Sequence, residues 1–293
     1  MMSLVSSIRV GRSIGFIVGG LALAAVSMMV TFDAWSDILT IAARDEESSH
    51  IFLVPIVCGW LVWVRRGRMR YCRPVGRWMG PLIVGAGWGI WHFGFNYQTQ
   101  TFWHGGSVLI AVGCLISFTG ITVVRRFLPA FAVLVFLIPV PAAVRQQIAI
   151  PLQNTTAQVT QTLLEVLGWP TELSGNVLRI NGQEVGIAEA CNGLRMVFAL
   201  VLVSFAFAFG TPLRTYVRLI VMAISPLSAI LCNVVRLIPT VWFYGYTTTE
   251  VGNQFHAISG WVMLAVAFLI LMGVIRLLQW ALVPVTHYTL AYD

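Results

Sequence analysis

Not one lysine occurs in the 293 residues, and only 10% of the chain is charged. Soluble domains carry about 25% charged residues, so this scarcity excludes an ordinary water-soluble globule. Hydrophobic residues make up 58% of the sequence and the mean hydropathy is +0.84, the composition of an integral membrane protein. Cysteine patterns of stapled or metal-bound folds are missing too. The five cysteines are an odd number without a C-x-x-C pair, which argues against a disulfide frame or zinc ribbon. No internal repeat, low-complexity tract or flexible linker interrupts the chain, so residues 1–293 read as a single polytopic membrane domain.

The formal charge of +7 rests on arginine alone, and its distribution carries more than its sum. Arginines gather in alternate loops: Arg9 and Arg12, Arg65 to Arg77, Arg125 and Arg126, Arg214 and Arg218, and Arg276. Acids such as Asp33, Asp37, Asp45, Glu165, Glu172, Glu184, Glu189 and Glu250 occupy the other loops. The positive-inside rule then places the arginine loops and both termini in the cytoplasm. Basicity here is a topology signal, and no nucleic-acid partner is expected.

Cutting the sequence into lengths that cross a hydrocarbon core of about 30 Å gives about eight transmembrane helices. They fall near 13–32, 51–64, 80–95, 106–122, 127–141, 191–210, 216–243 and 256–280. The first has no convincing small-x-small cleavage site and reads as a retained span. Asp33 to His50 reads as an acidic outer loop, and Trp91, Tyr97, Phe102 and Trp103 as an interfacial aromatic belt. The fold expected is an all-α integral membrane protein with one extracytoplasmic insertion, about 141–190, before the sixth span. Within it Leu152, Val159, Leu163, Val166 and Leu167 recur at helical spacing, suggesting a small amphipathic helix on the membrane surface. Next, Asn176–Ile180 and Gln183–Ile187 flank Asn181-Gly182, the dipeptide favoured in two-residue type I′ turns, and predict a β-hairpin.

That hairpin leads to Gln183-Glu-Val-Gly-Ile-Ala-Glu-Ala-Cys-Asn-Gly-Leu-Arg-Met-Val-Phe198, which delivers Cys191 to the first turn of an apolar helix. Unpaired N–H groups at a helix N-terminus lower a thiol pKa, making a nucleophile near neutral pH. Two other polar residues sit where a membrane resists them. Arg236, in Cys232-Asn-Val-Val-Arg-Leu-Ile-Pro239, lies inside the seventh span at an insertion cost of at least about 2.5 kcal/mol. His256 heads the eighth, and topology puts all three at similar depth below the outer surface. Taken singly, the residues have bland readings: a packed cysteine, an ion-paired arginine, a structural histidine. Together they supply a nucleophile, an acid/base and a fixed cation, the equipment of acyl transfer.

Ala190-Cys-Asn-Gly-Leu-Arg195, Asn233-Val-Val-Arg236 and the later His256 resemble the three blocks of the exosortase/archaeosortase family of membrane cysteine transpeptidases. The resemblance extends to Ser49-His-Ile-Phe-Leu-Val-Pro55, Ile138-Pro-Val-Pro141 and Gly175-Asn176, covering about 33 to 280. One departure is Asn192, where the family commonly has Ser. The resemblance implies Cys191 as nucleophile, Arg236 as essential cation and His256 as acid/base. Asn192, Arg195, Asn233, His50 and Glu189 are the candidate supporting or substrate-binding residues. It also implies the partners: secreted proteins ending in a sorting signal such as Pro-Glu-Pro, a transmembrane helix and an Arg-rich tail. The acceptor would be an amine on a lipid or envelope component, with membrane lipid around the enzyme and an active site on the outer side. Family members often accompany extracellular polysaccharide systems. Arg236 has three possible roles, toward the thiolate, the oxyanion or a substrate carboxylate, and no cofactor or metal is expected.

Two rival readings use the same residues. His50, His104, His256 and Cys191 together form a possible zinc, copper or haem set, although no H-x-x-x-H or C-x-x-C-H spacing supports it. A transporter would use Arg236 and Asn233 to grip an anion, but inverted repeats and paired broken helices are not visible. Within the cysteine reading Cys232 competes with Cys191, being one turn from Arg236.

Overall fold

The computed structural model describes residues 2–186 and 193–281, and its contacts divide the chain into two compact units. The first is built from Met1–Pro141 with Phe209–Pro212, the second from Ala142–Ala208 and Leu213–Val285.

The first unit opens with α1 (Met2–Val30) and α2 (Phe32–Arg44), Gly15–Val30 meeting α2 at 82°. Hydroxyls mark this bend. Ser27 Oγ donates to Ala24 O at 2.7 Å, Thr31 Oγ1 donates to Ser27 O at 2.8 Å, and Trp35 Nε1 donates to Thr31 Oγ1 at 3.1 Å. Such back-bonding competes with the helical ladder and bends it. The stretch read from sequence as an acidic loop is therefore mostly helix. Ala34, Ile38 and Ala42, four apart, bury one face of α2, and Ile38 and Ala42 pack with Ile51. A 3-10 turn over Glu46–Phe52, capped by Asp45, leads to α3 (Leu53–Val64).

α4 (Met79–Asn96) and α5 (Gln100–Thr119) form a hairpin held by small residues. A β-carbon on Gly94 would stand 2.2 Å from the Trp103 backbone nitrogen, and one on Gly106 2.4 Å from that of Trp91. Only glycine permits so close an approach of two backbones. α6 (Ile121–Arg126) follows, and over the fifth expected span, 127–141, α7 (Leu128–Ala132) runs into a 3-10 turn over Val133–Leu137.

The second unit begins with α8 (Ala142–Val166). Its buried face is Thr156, Ala157, Thr160 and Leu164, whereas Val159, Leu163, Val166 and Leu167 of the expected apolar stripe are exposed. The inside of α8 is thus the small, polar-flecked side. Three strands follow, β1 (Thr171–Ser174), β2 (Val177–Ile180) and β3 (Gln183–Gly186), in an antiparallel sheet of order β1-β2-β3. This is a three-stranded meander rather than a two-stranded hairpin, because Thr171–Ser174 pairs with the far side of β2. Asn181 and Gly182 take φ +49° and +77°, the left-handed geometry of a type I′ turn. One face of the sheet, Leu178, Ile180 and Val185, packs with Ala157 and Leu164 of α8 and with Leu237 and Val241.

The last three helices are α9 (Gly193–Gly210), α10 (Thr215–Tyr246) and α11 (Thr249–Ala281). α10 runs through Pro226 and Pro239 as one 32-residue helix, so Pro239 does not end it.

Among the described residues four helices are long and apolar enough to cross a membrane, Glu47–Val64, Gln100–Thr119, Thr215–Tyr246 and Thr249–Ile270, or up to six if each bent pair counts as one span. Eight were expected from the sequence. The difference lies in α4, which falls outside that set, in α9, which is too short by this measure, and in the two pairs that bend. The chain is an all-α, multi-pass membrane protein apart from the small sheet.

Candidate functional site

Arg236 and Asn233 share the inward face of α10, 5% and 3% exposed, with Cys232 and Leu237 beside them. The outward face carries Leu231 and Val235. One turn on from Arg236, Thr240 Oγ1 donates to its carbonyl at 2.8 Å. A guanidinium buried in an apolar helix is costly, so its surroundings bear on why it is there. Nη1 of Arg236 lies 3.2 Å from the point where a β-carbon on Gly260 would stand.

Gly260 is one turn beyond His256 on α11, and residues four apart share a helix face. The arginine head therefore reaches the face of α11 that carries His256. His256 is half-buried with Nδ1 shielded from solvent, and Ser259 Oγ donates to its carbonyl at 3.1 Å.

The corner between α10 and α11 holds these two helices in register. Tyr244 Oη donates to Asn253 Oδ1 at 2.6 Å, its ring lies over Gly252, and Phe243 stacks on Phe255 at 4.5 Å. The sheet is bolted to the same corner. Asn181 Nδ2 donates to Gly245 O at 3.0 Å, and Ile180 packs where a Gly245 side chain would be. Leu237, next to Arg236, shares the core with Leu178, Ile180 and Val185 of the sheet.

Cys191, Asn192 and Glu189 lie outside the described residues, in the six-residue interval between β3 and α9. Both flanks of that interval belong to the second unit. Arg195 stands half-buried in the first turn of α9. Arg236, Asn233, His256 and Arg195 all belong to the second unit. His50 belongs to the first. There it is buried, and its Nδ1 donates to Glu47 O at 3.0 Å.

Among the described residues no group of three or more His, Cys, Asp or Glu is placed to hold a metal ion. His104, one of the four ligands of the metal reading, is fully buried in α5 with Nε2 donating to Asp37 Oδ2 at 2.9 Å. Cys232 is 3% exposed within the buried face of α10, the environment of a packing residue.

Sequence reasoning passed over Gly260, Tyr244 and Asn253. Gly260 had a signal, a residue without a side chain one turn after a polar helix residue; the Tyr244–Asn253 bond had none, since it depends on how the corner turns.

A family model described as transmembrane exosortase matches residues 35–273 of the chain. No curated protein and no solved structure matches it.

Proposed function

Because the chain belongs to the transmembrane exosortase family, membrane transpeptidases that process secreted proteins, we propose that it cleaves C-terminal sorting signals through a cysteine thioester. The substrate is a secreted protein ending in a motif such as Pro-Glu-Pro, a transmembrane helix and an Arg-rich tail. Cys191 Sγ attacks the backbone carbonyl carbon at the motif, and the C–N bond breaks. His256 protonates the departing amine, which leaves with the helix and tail. An amine on a lipid or envelope component then attacks the thioester, releasing the protein joined to the acceptor and regenerating the thiolate. Water in place of the amine makes the same steps a proteolysis. Arg236 supplies positive charge to the thiolate, to the oxyanion or to a substrate carboxylate. The chemistry takes place on the outer side of the bacterial inner membrane, with both termini in the cytoplasm.

The observation that carries this reading is the approach of Arg236 to Gly260, one turn from His256. It brings a buried cation to the helix face of a candidate acid/base, in the unit whose strand β3 ends five residues before Cys191. The supporting residues Asn192, Arg195, Asn233 and Glu189 are assigned to substrate contact or to orienting these three.

The test is a cell assay with a secreted reporter carrying a Pro-Glu-Pro tail, read by gel mobility. Wild type and Cys232→Ala should shorten the reporter and Cys191→Ala should not. Normal processing by Cys191→Ala sinks the cysteine mechanism.

A further inference from the structure

The two edges of the small sheet differ, and the difference points to how a substrate docks. Across a two-residue type I′ turn the flanking residues, Ile180 and Gln183, form the closing hydrogen-bonded pair. Bonding alternates from there, so in β3 Gln183 and Val185 face β2 with their N–H and C=O groups, while those of Glu184 and Gly186 point away. By the same alternation Thr171 and Leu173 point away from β2 on the β1 edge. That edge is covered: Gln161 Nε2, from α8, donates to Thr171 O at 3.3 Å. Among the described residues no hydrogen bond from outside the sheet reaches the backbone of β3.

An uncovered edge is a template for another strand, and natural proteins usually block it. β3 carries neither proline nor lysine, and its last residue, Gly186, has no side chain to crowd an incoming chain. Its one charged residue, Glu184, is turned back toward Arg179, which bridges Glu172 and Glu184 across the exposed face of the sheet. The edge is held in place by Leu178, Ile180 and Val185 in the core and by Asn181 on the α10–α11 corner.

We propose that β3 is the substrate-docking strand: an extended segment of the secreted polypeptide adds to its free edge, pairing with the N–H and C=O of Glu184 and Gly186. The inference rests on the transpeptidase reading above and supplies its recognition step. Main-chain pairing gives affinity without demanding particular side chains, which suits an enzyme that must accept many secreted proteins. Cys191 is the fifth residue after Gly186, a reach of at most about 17 Å. The scissile bond therefore lies within a few residues of the paired segment.

The test is disulfide trapping in membranes, in a Cys191→Ala background so that substrate binds without turnover. Gln183→Cys and Glu184→Cys are each combined with a cysteine scan along the reporter upstream of its transmembrane helix, with the unsubstituted background as control. Side chains alternate between the two faces of a strand. Gln183→Cys should therefore trap every second reporter position, and Glu184→Cys the interleaved set, each several-fold above its neighbours. The same positions trapped by both cysteines, or no trapping above the control by either, overturns strand addition. Whether wild type shortens the reporter, and Cys191→Ala does not, is read separately and decides the reaction independently of the docking mode.

Discussion

Arg236 occupies the place beside Gly260: the guanidinium Nη1 stands 3.2 Å from where a β-carbon on the neighbouring helix would be. The gap is a receptacle for the arginine head, and its size sets a graded experiment. Gly260→Ala adds one methyl against the end of a flexible side chain, so a shift of a few tenths of an ångström absorbs it. Gly260→Leu fills the space and expels the guanidinium. Processing of the reporter should fall modestly in the first variant and by about a hundredfold or more in the second, because a misplaced catalytic group costs on that order. Equal activity in both would mean the contact has no part in the reaction.

Charge and geometry separate at Arg236 itself. Lysine keeps the positive charge but loses the planar fork and its fixed donors. Arg236→Lys should reduce processing about tenfold or more, and Arg236→Ala should abolish it. The readout is initial rate of reporter shortening at matched membrane levels of enzyme. If lysine restores full rate, a point charge suffices and the forked oxyanion and carboxylate roles give way to thiolate stabilisation.

The sequence made the family and the membrane class legible, and the packing only partly so. Arg236 and His256 stood out because charge is rare in an apolar span, and composition alone declared a membrane protein. Asn181-Gly182 marked its turn because both residues must take positive φ, a demand few other pairs meet. Neighbouring judgements went astray where tertiary contact decides. α2 was hidden because Ser and Asp among its apolar residues imitate a loop, and only Ile38 and Ala42 against Ile51 reveal the helix. α8 showed an apolar stripe, yet its buried face carries Thr156 and Thr160, since the sheet and α10 offer a close, small-residue fit rather than more apolar area. Gly94 and Gly106 carried no visible instruction to pack α4 on α5 until both backbones were placed together.

Cys72 gives a pH test. Burial pushes its thiol above the ordinary range, and the nearby Arg126 guanidinium pulls the other way without prevailing. Below its raised pKa the group is a neutral thiol, and thiolate is the species that alkylates. Site-resolved labelling with iodoacetamide should leave Cys72 largely unmodified at pH 7 and label it only as pH rises past the usual thiol range. Arg126→Gln removes the opposing pull, so the labelling profile should move to still higher pH. Cys191, proposed as the nucleophile, should be labelled already at neutral pH in the same sample. A profile that moves down in Arg126→Gln would contradict the electrostatic assignment.

Asn181 does two jobs, and two substitutions pull them apart. Its backbone sits at φ +49°, and its side chain holds Gly245 O at 3.0 Å, tying the sheet to the α10–α11 corner. Asn181→Gly keeps a residue at ease with positive φ and removes only the hydrogen bond, worth about 0.5–1.5 kcal/mol. Asn181→Ala removes the bond and adds left-handed strain, about 1 kcal/mol more. Thermal midpoints in detergent should therefore fall in the order wild type, Gly, Ala. The bond also fixes β3 relative to the helices bearing Arg236 and His256. Processing should accordingly drop in Asn181→Gly by more than its small loss of stability accounts for, and temperature should separate the two: at 20 °C, far below either midpoint, a purely stabilising bond would leave the rate of Asn181→Gly equal to wild type, whereas a bond that aligns the site would leave it slow.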